Sequence, residues 1–341
     1  MTRLSDFRFT LIAAVTVVSP LAAQGPTASG SSRSAAPQTI PAGVVEEPLT
    51  LGEGTWAVGG LLDRPTAAGR VPAVVLMHGS GPGTRDLDVG SAKVFREIGW
   101  GLASRGIIVA RYDKRTTAHA AELRSTGRTL SIDEEFTDDA VAAVRLLLAR
   151  PEVDPRRVFV LGISQGAAVA PLVAERVPEV AGVVLLSAGG RTPAQLIREQ
   201  ASRILTSAPA TDTATRERAR RTLADVARME DGSLPDSMRV FNRTLGYWRS
   251  MRGLEPQRRT AQLIARGGRA LVVHGGRDDL TTDVDYELWG AALRGKPRVT
   301  FRRYPELDHS MLVAAETPGR SGEYRPVSTE LLDDLAAWLG P

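Results

Sequence analysis

The chemistry open to this chain starts at Ser164, in Gly162-Ile163-Ser164-Gln165-Gly166, a G-x-S-x-G pentapeptide. Val158 to Leu161 before it is a short apolar run with β-branched residues, which predicts a buried strand. Gly166, Ala167, Ala168 and Ala170 after it suit a helix packed closely on a sheet. A serine on such a strand-to-helix turn carries its Oγ above the sheet, over a helix N-terminus, and the Gln165 N–H can point at a developing oxyanion. The competing reading is a small-residue turn with no chemistry.

A serine hydroxyl is a poor nucleophile near neutral pH, so it needs a base within hydrogen-bond reach and a group to orient that base. The chain has four histidines. His78 opens a glycine loop and is expected to hold that loop by side-chain hydrogen bonds. His119 falls in an Ala/Thr-rich loop with no strand to fix it. His274 ends a strand directly before an acidic loop, where an orienting role suits it. His309 follows the last strand and is the expected base. Asp278, just beyond a strand end, is the expected orienting acid; Asp279 is its neighbouring competitor, and Asp308 reads as a loop cap. The loop His78-Gly79-Ser80-Gly81-Pro82-Gly83 follows the apolar run Ala73–Met77. It is either a plain turn or a source of backbone N–H groups; a Walker lysine and a helix start are missing, so phosphate is a poor occupant. Beside a nucleophilic serine it reads as the second half of an oxyanion hole, with the Ser80 N–H as donor and Gly81 as the fallback.

Composition narrows the alternatives. The chain of 341 residues is 43% hydrophobic and 24% charged, an ordinary globular balance with room for one large α/β domain. All but three of the 43 basic residues are arginine, the lysines being Lys93, Lys114 and Lys296. The net charge is only +4, and aromatic and basic residues are not interleaved, so nucleic acid is not an expected partner. The absence of cysteine excludes disulfides, thiolate metal sites, a cysteine nucleophile and a lipid-modified N-terminal cysteine. The histidines form no helical pair for a metal, and neither metal nor organic cofactor is expected.

Residues 1–23 read as an export signal: Arg3 and Arg8, then an apolar run from Phe9 to Val18, then Pro20 before Leu-Ala-Ala. The run is too short to anchor the chain in a bilayer, so a periplasmic or secreted protein is expected. Residues 24–42, rich in Gly, Ser, Ala and Pro, read as a flexible linker. Beyond it, strands are predicted at 44–51, 55–62, 73–77, 107–111, 158–161, 182–186, 270–273 and 298–304. Helices are predicted at 91–105, 131–149, after Ser164, at 283–294 and at 327–339. This alternation predicts a mostly parallel central sheet with helices on both faces. It runs through 43–190, breaks over 191–266 and resumes over 267–341. The break holds three helical stretches with no strand candidate; in the last, Met238, Phe241, Leu245 and Trp248 recur at helical spacing and predict a packing face. Such an insertion reads as a cap over the site. It carries 15 Arg against 8 Asp plus Glu, which is either a solvated basic face or a means of attracting anionic substrates.

His78–Pro82 with Arg85-Asp86, Arg111-Tyr112-Asp113-Lys114-Arg115, Gly162–Gly166, the Asp278 loop and His309 form an ordered set across residues 44–341. The set resembles the α/β-hydrolase superfamily of serine hydrolases, in particular a bacterial branch described as dienelactone-hydrolase-like or serine-aminopeptidase-like. The chain order Ser164, Asp278, His309 is also that of this superfamily. Thr84 stands where the branch often has aspartate, and Thr116 where glycine is usual. The resemblance implies an α/β-hydrolase fold and hydrolysis of a small ester through an acyl-enzyme on Ser164. Two other readings remain open from the sequence: a serine peptidase on short or N-terminal peptide substrates, and a non-catalytic binding protein on the same fold.

Overall fold

The computed structural model describes residues 39–66, 69–314 and 324–340. The expected export signal, and the expected linker up to residue 38, lie outside the described residues. Eight strands form one sheet: β1 (Val44–Leu51), β2 (Val58–Pro65), β3 (Val71–Met77), β4 (Ile108–Tyr112), β5 (Val153–Ile163), β6 (Gly182–Leu186), β7 (Arg269–Gly275) and β8 (Val299–Tyr304). Their order is β1-β2-β4-β3-β5-β6-β7-β8. β1, β2 and β4 pair antiparallel, and from β4 to β8 every neighbour is parallel. This is the α/β-hydrolase fold.

The central parallel strands carry unbroken apolar runs, Ala73–Met77, Val158–Leu161, Val183–Leu186 and Ala270–Val273, because both faces are covered there. Alternate residues of β3 point to opposite sides. Val75 and Met77 join a core with the helices α2 (Asp138–Leu148) and α3 (Gln165–Arg176), which supply Val144, Leu147, Val169 and Val173. Val74 and Leu76 join a second core with α1 (Val94–Ala103) and the last helix (Thr329–Leu339), through Phe95, Ile98, Leu331 and Leu335. Between β7 and β8 runs a helix over Asp283–Leu293, whose Trp289 is fully buried.

Two expectations need correction. The helix expected over 131–149 opens with a π-helical turn at Asp133–Thr137 before α2 begins. The insertion between β6 and β7 holds four helices, not three: α4 (Pro193–Ser207), α5 (Thr213–Glu230), α6 (Leu245–Arg252) and α7 (Pro256–Ala265). It also holds a small hairpin, Arg239–Val240 against Arg243–Thr244. Phe241 and Asn242 turn it with φ of 51° and 57°, the left-handed pair that a tight two-residue hairpin demands. Met238 and Phe241 therefore lie before α6 rather than on it, although both pack against the core that buries Leu245 and Trp248. Helical spacing predicted the packing face but not the backbone that presents it.

Candidate active site

Ser164 sits between β5 and α3 with φ 56° and ψ −120°. A non-glycine residue held there costs about 1–3 kcal/mol, and the surroundings hold it in place. The Ser164 N–H donates to the Leu186 carbonyl at 2.9 Å, and its own carbonyl accepts from Ala167 N–H at 3.0 Å. The flanking glycines are required by contact. A Cβ on Gly162 would lie 2.3 Å from the Gly166 carbonyl oxygen, and one on Gly166 would lie 2.3 Å from that of His78. The turn thus crosses the end of β3 at backbone distance and starts α3 with Gln165, placing the serine above a helix N-terminus.

Asp278 and His309, 31 residues apart, meet. His309 Nδ1 donates to the Asp278 carboxylate, 2.9 Å from Oδ2 and 3.0 Å from Oδ1. That assignment leaves Nε2 free to accept a proton. The carboxylate is itself fixed by Leu280 N–H and Thr281 N–H, both at 2.9 Å, and by the Thr281 hydroxyl at 2.7 Å. Its side chain is fully buried, and that of His309 is 15% exposed. Burial alone would raise the pKa of Asp278, but the His309 charge and these hydrogen bonds outweigh it and hold Asp278 below the ordinary aspartate value. For His309, burial opposes the cation, and the Asp278 charge and hydrogen bond overcome it, so its pKa lies above the usual 6.5. The Ser187 hydroxyl donates to the His309 carbonyl at 2.8 Å and steadies its loop.

The other candidates fall elsewhere. His78 is buried, its Nε2 2.9 Å from the Thr84 carbonyl, and burial pushes its pKa down to about 4. His119 packs on the Trp56 ring, with Nε2 3.1 Å from the Ala57 carbonyl. His274 does not orient Asp278: its Nε2 lies 3.0 Å from Asp283, and its ring stacks on Tyr286. Asp279 offers its main-chain carbonyl to Arg203. Asp308 accepts from the N–H groups of Ser310 at 2.9 Å and Leu312 at 3.2 Å.

The glycine loop after β3 is pinned from beneath. Lys114, only 1% exposed, donates to the Gly79 carbonyl at 2.9 Å and the Gly81 carbonyl at 3.0 Å. In a trans peptide the C=O and the following N–H point in opposite directions. The Ser80 N–H is therefore aimed away from Lys114, while the peptide after Gly81 leads to Pro82 and offers no N–H. Ser80, Ser164, Gln165 and His309 line one cavity of about 1010 Å³. Its apolar lining comes mostly from the insertion, with Leu196, Ile197, Phe241, Trp248 and Met251, joined by Leu123 from the core. The roles of Lys114 and Thr281 escaped the sequence reading, which named Lys114 only among the lysines and as part of the segment Arg111-Tyr112-Asp113-Lys114-Arg115. The faint signals were the rarity of lysine in this chain and the spacing Asp278-x-x-Thr281 typical of a side-chain-capped turn.

A model of the alpha/beta hydrolase family matches residues 74–320. The chain belongs to that family. Among curated proteins, the chain is 31% identical over 283 residues to Esterase EstD of Thermotoga maritima, covering 82% of this chain and 65% of that one. The chain thus spans slightly under two thirds of its relative's length. Among solved structures, the Pyrococcus furiosus esterase PF2001 is 14% identical with a TM-score of 0.52, covering 91% of this chain and 98% of that one. Est1E from Butyrivibrio proteoclasticus is 14% identical with a TM-score of 0.54, covering 85% and 95%. At these identities the structural matches establish the shared fold.

Proposed function

We propose that this alpha/beta hydrolase is a serine acyl hydrolase that cleaves carboxylic esters. The observation that carries the reading is the buried Asp278–His309 pair opening on the same cavity as a serine held in a left-handed turn. In this mechanism Ser164 Oγ attacks the ester carbonyl while His309 Nε2 takes its proton. The tetrahedral oxyanion is met by the N–H groups of Gln165 and Ser80, and Asp278 stabilises the imidazolium. Collapse expels the alkoxide, which receives the proton from His309 and leaves as the alcohol. Water then attacks the acyl-enzyme, His309 takes its proton, and the carboxylic acid departs with Ser164 restored. Every step is a proton or acyl transfer between groups named here.

The esterase name of the Thermotoga relative supports an ester over an amide as substrate. The composition of residues 1–23 supports export, and the mature enzyme is proposed to act in the periplasm or outside the cell. Fluorophosphonate labelling read by intact mass tests the core of the proposal. The native protein is expected to gain one adduct and to hydrolyse 4-nitrophenyl acetate, and Ser164→Ala to do neither. Absence of adduct on folded native protein would leave the non-catalytic binding protein as the reading. A parallel screen of aminoacyl amides against simple esters decides between peptide and ester substrates.

A further inference from the structure

We propose that the preferred ester carries an anionic group, a carboxylate, sulfate or phosphate, at the end of an apolar body remote from the scissile carbonyl. This inference rests on the hydrolase reading above. Among the described residues, seven arginines line the cavity against a single carboxylate, Glu255. Four of them are spoken for: Arg128 pairs with Glu134, Arg191 with Asp285 and Glu199, Arg243 with Glu135, and Arg258 with Glu255. The other three, Arg124, Arg239 and Arg252, are exposed at the wall and make no ion pair among the described residues. Arg239 donates to the carbonyls of Gly127 at 3.1 Å and Asn242 at 3.4 Å, which neutralises none of its charge. That bond also ties the cap hairpin to the end of the helix Ala120–Thr126, which carries Arg124, so two of the three cations share one side of the cavity. Glu230 pairs with Arg198 and also feels the charge of Arg252 without pairing with it, so Arg124 and Arg239 are the freer two of the three. The same cavity is lined by the apolar side chains of Leu196, Ile197, Phe241, Trp248 and Met251. A cleft of one sign with low-dielectric walls concentrates its field and favours ligands of the opposite sign.

The test uses matched pairs of 4-nitrophenyl and alkyl esters in which a terminal carboxylate replaces a terminal methyl, on the acyl chain in one pair and on the alcohol in the other. In salt of about 0.01 M, kcat/KM is expected to favour the anionic member of one pair by about tenfold. The ratio is expected to collapse towards unity in about 0.5 M salt, and likewise in the triple variant Arg124→Gln, Arg239→Gln, Arg252→Gln. Equal rates within both pairs, or a preference that survives the triple substitution, would overturn the inference while leaving the hydrolase reading intact. Failure to cleave any member would sink both.

A separate, buried set of contacts points to Lys114 as a positioning residue that couples cap docking to the oxyanion donors. Besides the two loop carbonyls, Lys114 pairs with Glu135 at 2.8 Å, and Glu135 is 2% exposed. Glu135 also pairs with Arg243 of the cap hairpin at 3.0 Å. The Arg243 guanidinium lies over the ring of Tyr247 on α6, and the Tyr247 hydroxyl accepts from Gln165 Nε2 at 2.9 Å. One chain of contacts therefore runs from the peptide that aims the Ser80 N–H, through the cap, to the residue that supplies the other N–H. Glu135 lies in the π-helical turn, an irregularity frequent at functional sites.

Tyr247→Phe and Arg243→Gln are each expected to lower kcat on a neutral ester by about tenfold with KM little changed. Inhibition by a phenylboronic acid, whose serine adduct is tetrahedral, should weaken in the same proportion. Lys114→Met should do the same more strongly; should it not fold, the two milder variants carry the test. A drop in Tm with kcat and boronate inhibition unchanged would make the contacts purely structural and overturn the assignment.

Discussion

In the proposed mechanism His309 must accept a proton, which it can do only while neutral, so the contacts that hold it would also set the acid limb of the reaction. Burial disfavours its cation, and Asp278 more than compensates, leaving the pKa above 6.5. kcat/KM on a neutral ester is therefore expected to rise with pH through a value above 6.5 and then level off, since this parameter reports the free enzyme. Asp278→Asn removes the largest upward influence, leaving the burial and the weaker pull of Asp308 and Asp279, so the limb should move to lower pH while the plateau falls by roughly 10³–10⁴. Stopped-flow pH–rate profiles of both proteins check this, and an unmoved limb in the variant would assign the titration to another group. Ser164 and its glycines were legible because backbone geometry is written in adjacent residues, and His309 because only four histidines competed. Glu135 was not legible, since its role is made by Lys114 and Arg243, the latter 108 residues away, and neither pairing leaves a local pattern.

At the scale of elements, the crossing of three backbone segments at the turn separates two kinds of glycine. A Cβ on Gly79 would approach Ser164 Cβ at 3.1 Å, the Ile163 carbonyl oxygen at 3.3 Å and Ser164 Oγ at 3.7 Å, contacts that a small shift of the loop relieves. Gly79→Ala should therefore leave Tm nearly unchanged and lower kcat/KM by about 10²-fold, since displacement of this order in a positioned group is enough to do so. A Cβ on Gly166 meets the backbone carbonyls of His78 and Met77 at 2.3 and 2.6 Å, which no side-chain motion can relieve. Gly166→Ala must lift α3 from the sheet and should cost about 1–3 kcal/mol of stability, read by urea unfolding. Comparable stability loss in both variants would contradict the distinction. The strands and most helices were legible because both faces of a parallel sheet must be covered, which writes long apolar runs. The cap hairpin was not, because Met238, Phe241, Leu245 and Trp248 fall at helical spacing while Phe241 and Asn242 adopt left-handed backbone.

At the scale of the whole molecule, the cap must be fastened to the core if it is to shape the cavity, and one fully buried residue does much of this. Asp285, on the helix after β7, accepts from the N–H groups of Gly190 at 2.9 Å and Arg191 at 3.1 Å, where the chain leaves the core for α4. It also pairs with the Arg191 guanidinium at 2.5 Å and closes its own helix start through Thr282 N–H at 3.0 Å. Gln257, on α7 at the far end of the cap, returns to the same place by donating to the Gly190 carbonyl at 2.8 Å. Removing the carboxylate leaves three buried amides without their acceptor and the Arg191 guanidinium with only Glu199 and the Thr282 hydroxyl, a loss of about 3–5 kcal/mol. Asp285→Ala is therefore expected to lower Tm, and its damage should concentrate at the cap. Brief trypsin treatment should cut within 191–266, a segment rich in arginine, before it cuts the sheet-forming segments, and KM should rise more than kcat falls. Asp285→Asn keeps an acceptor for the amides and should lie between the two. If trypsin instead cuts cap and core together in the alanine variant, the cap is an inseparable part of the core, and the rise in KM should be absent as well.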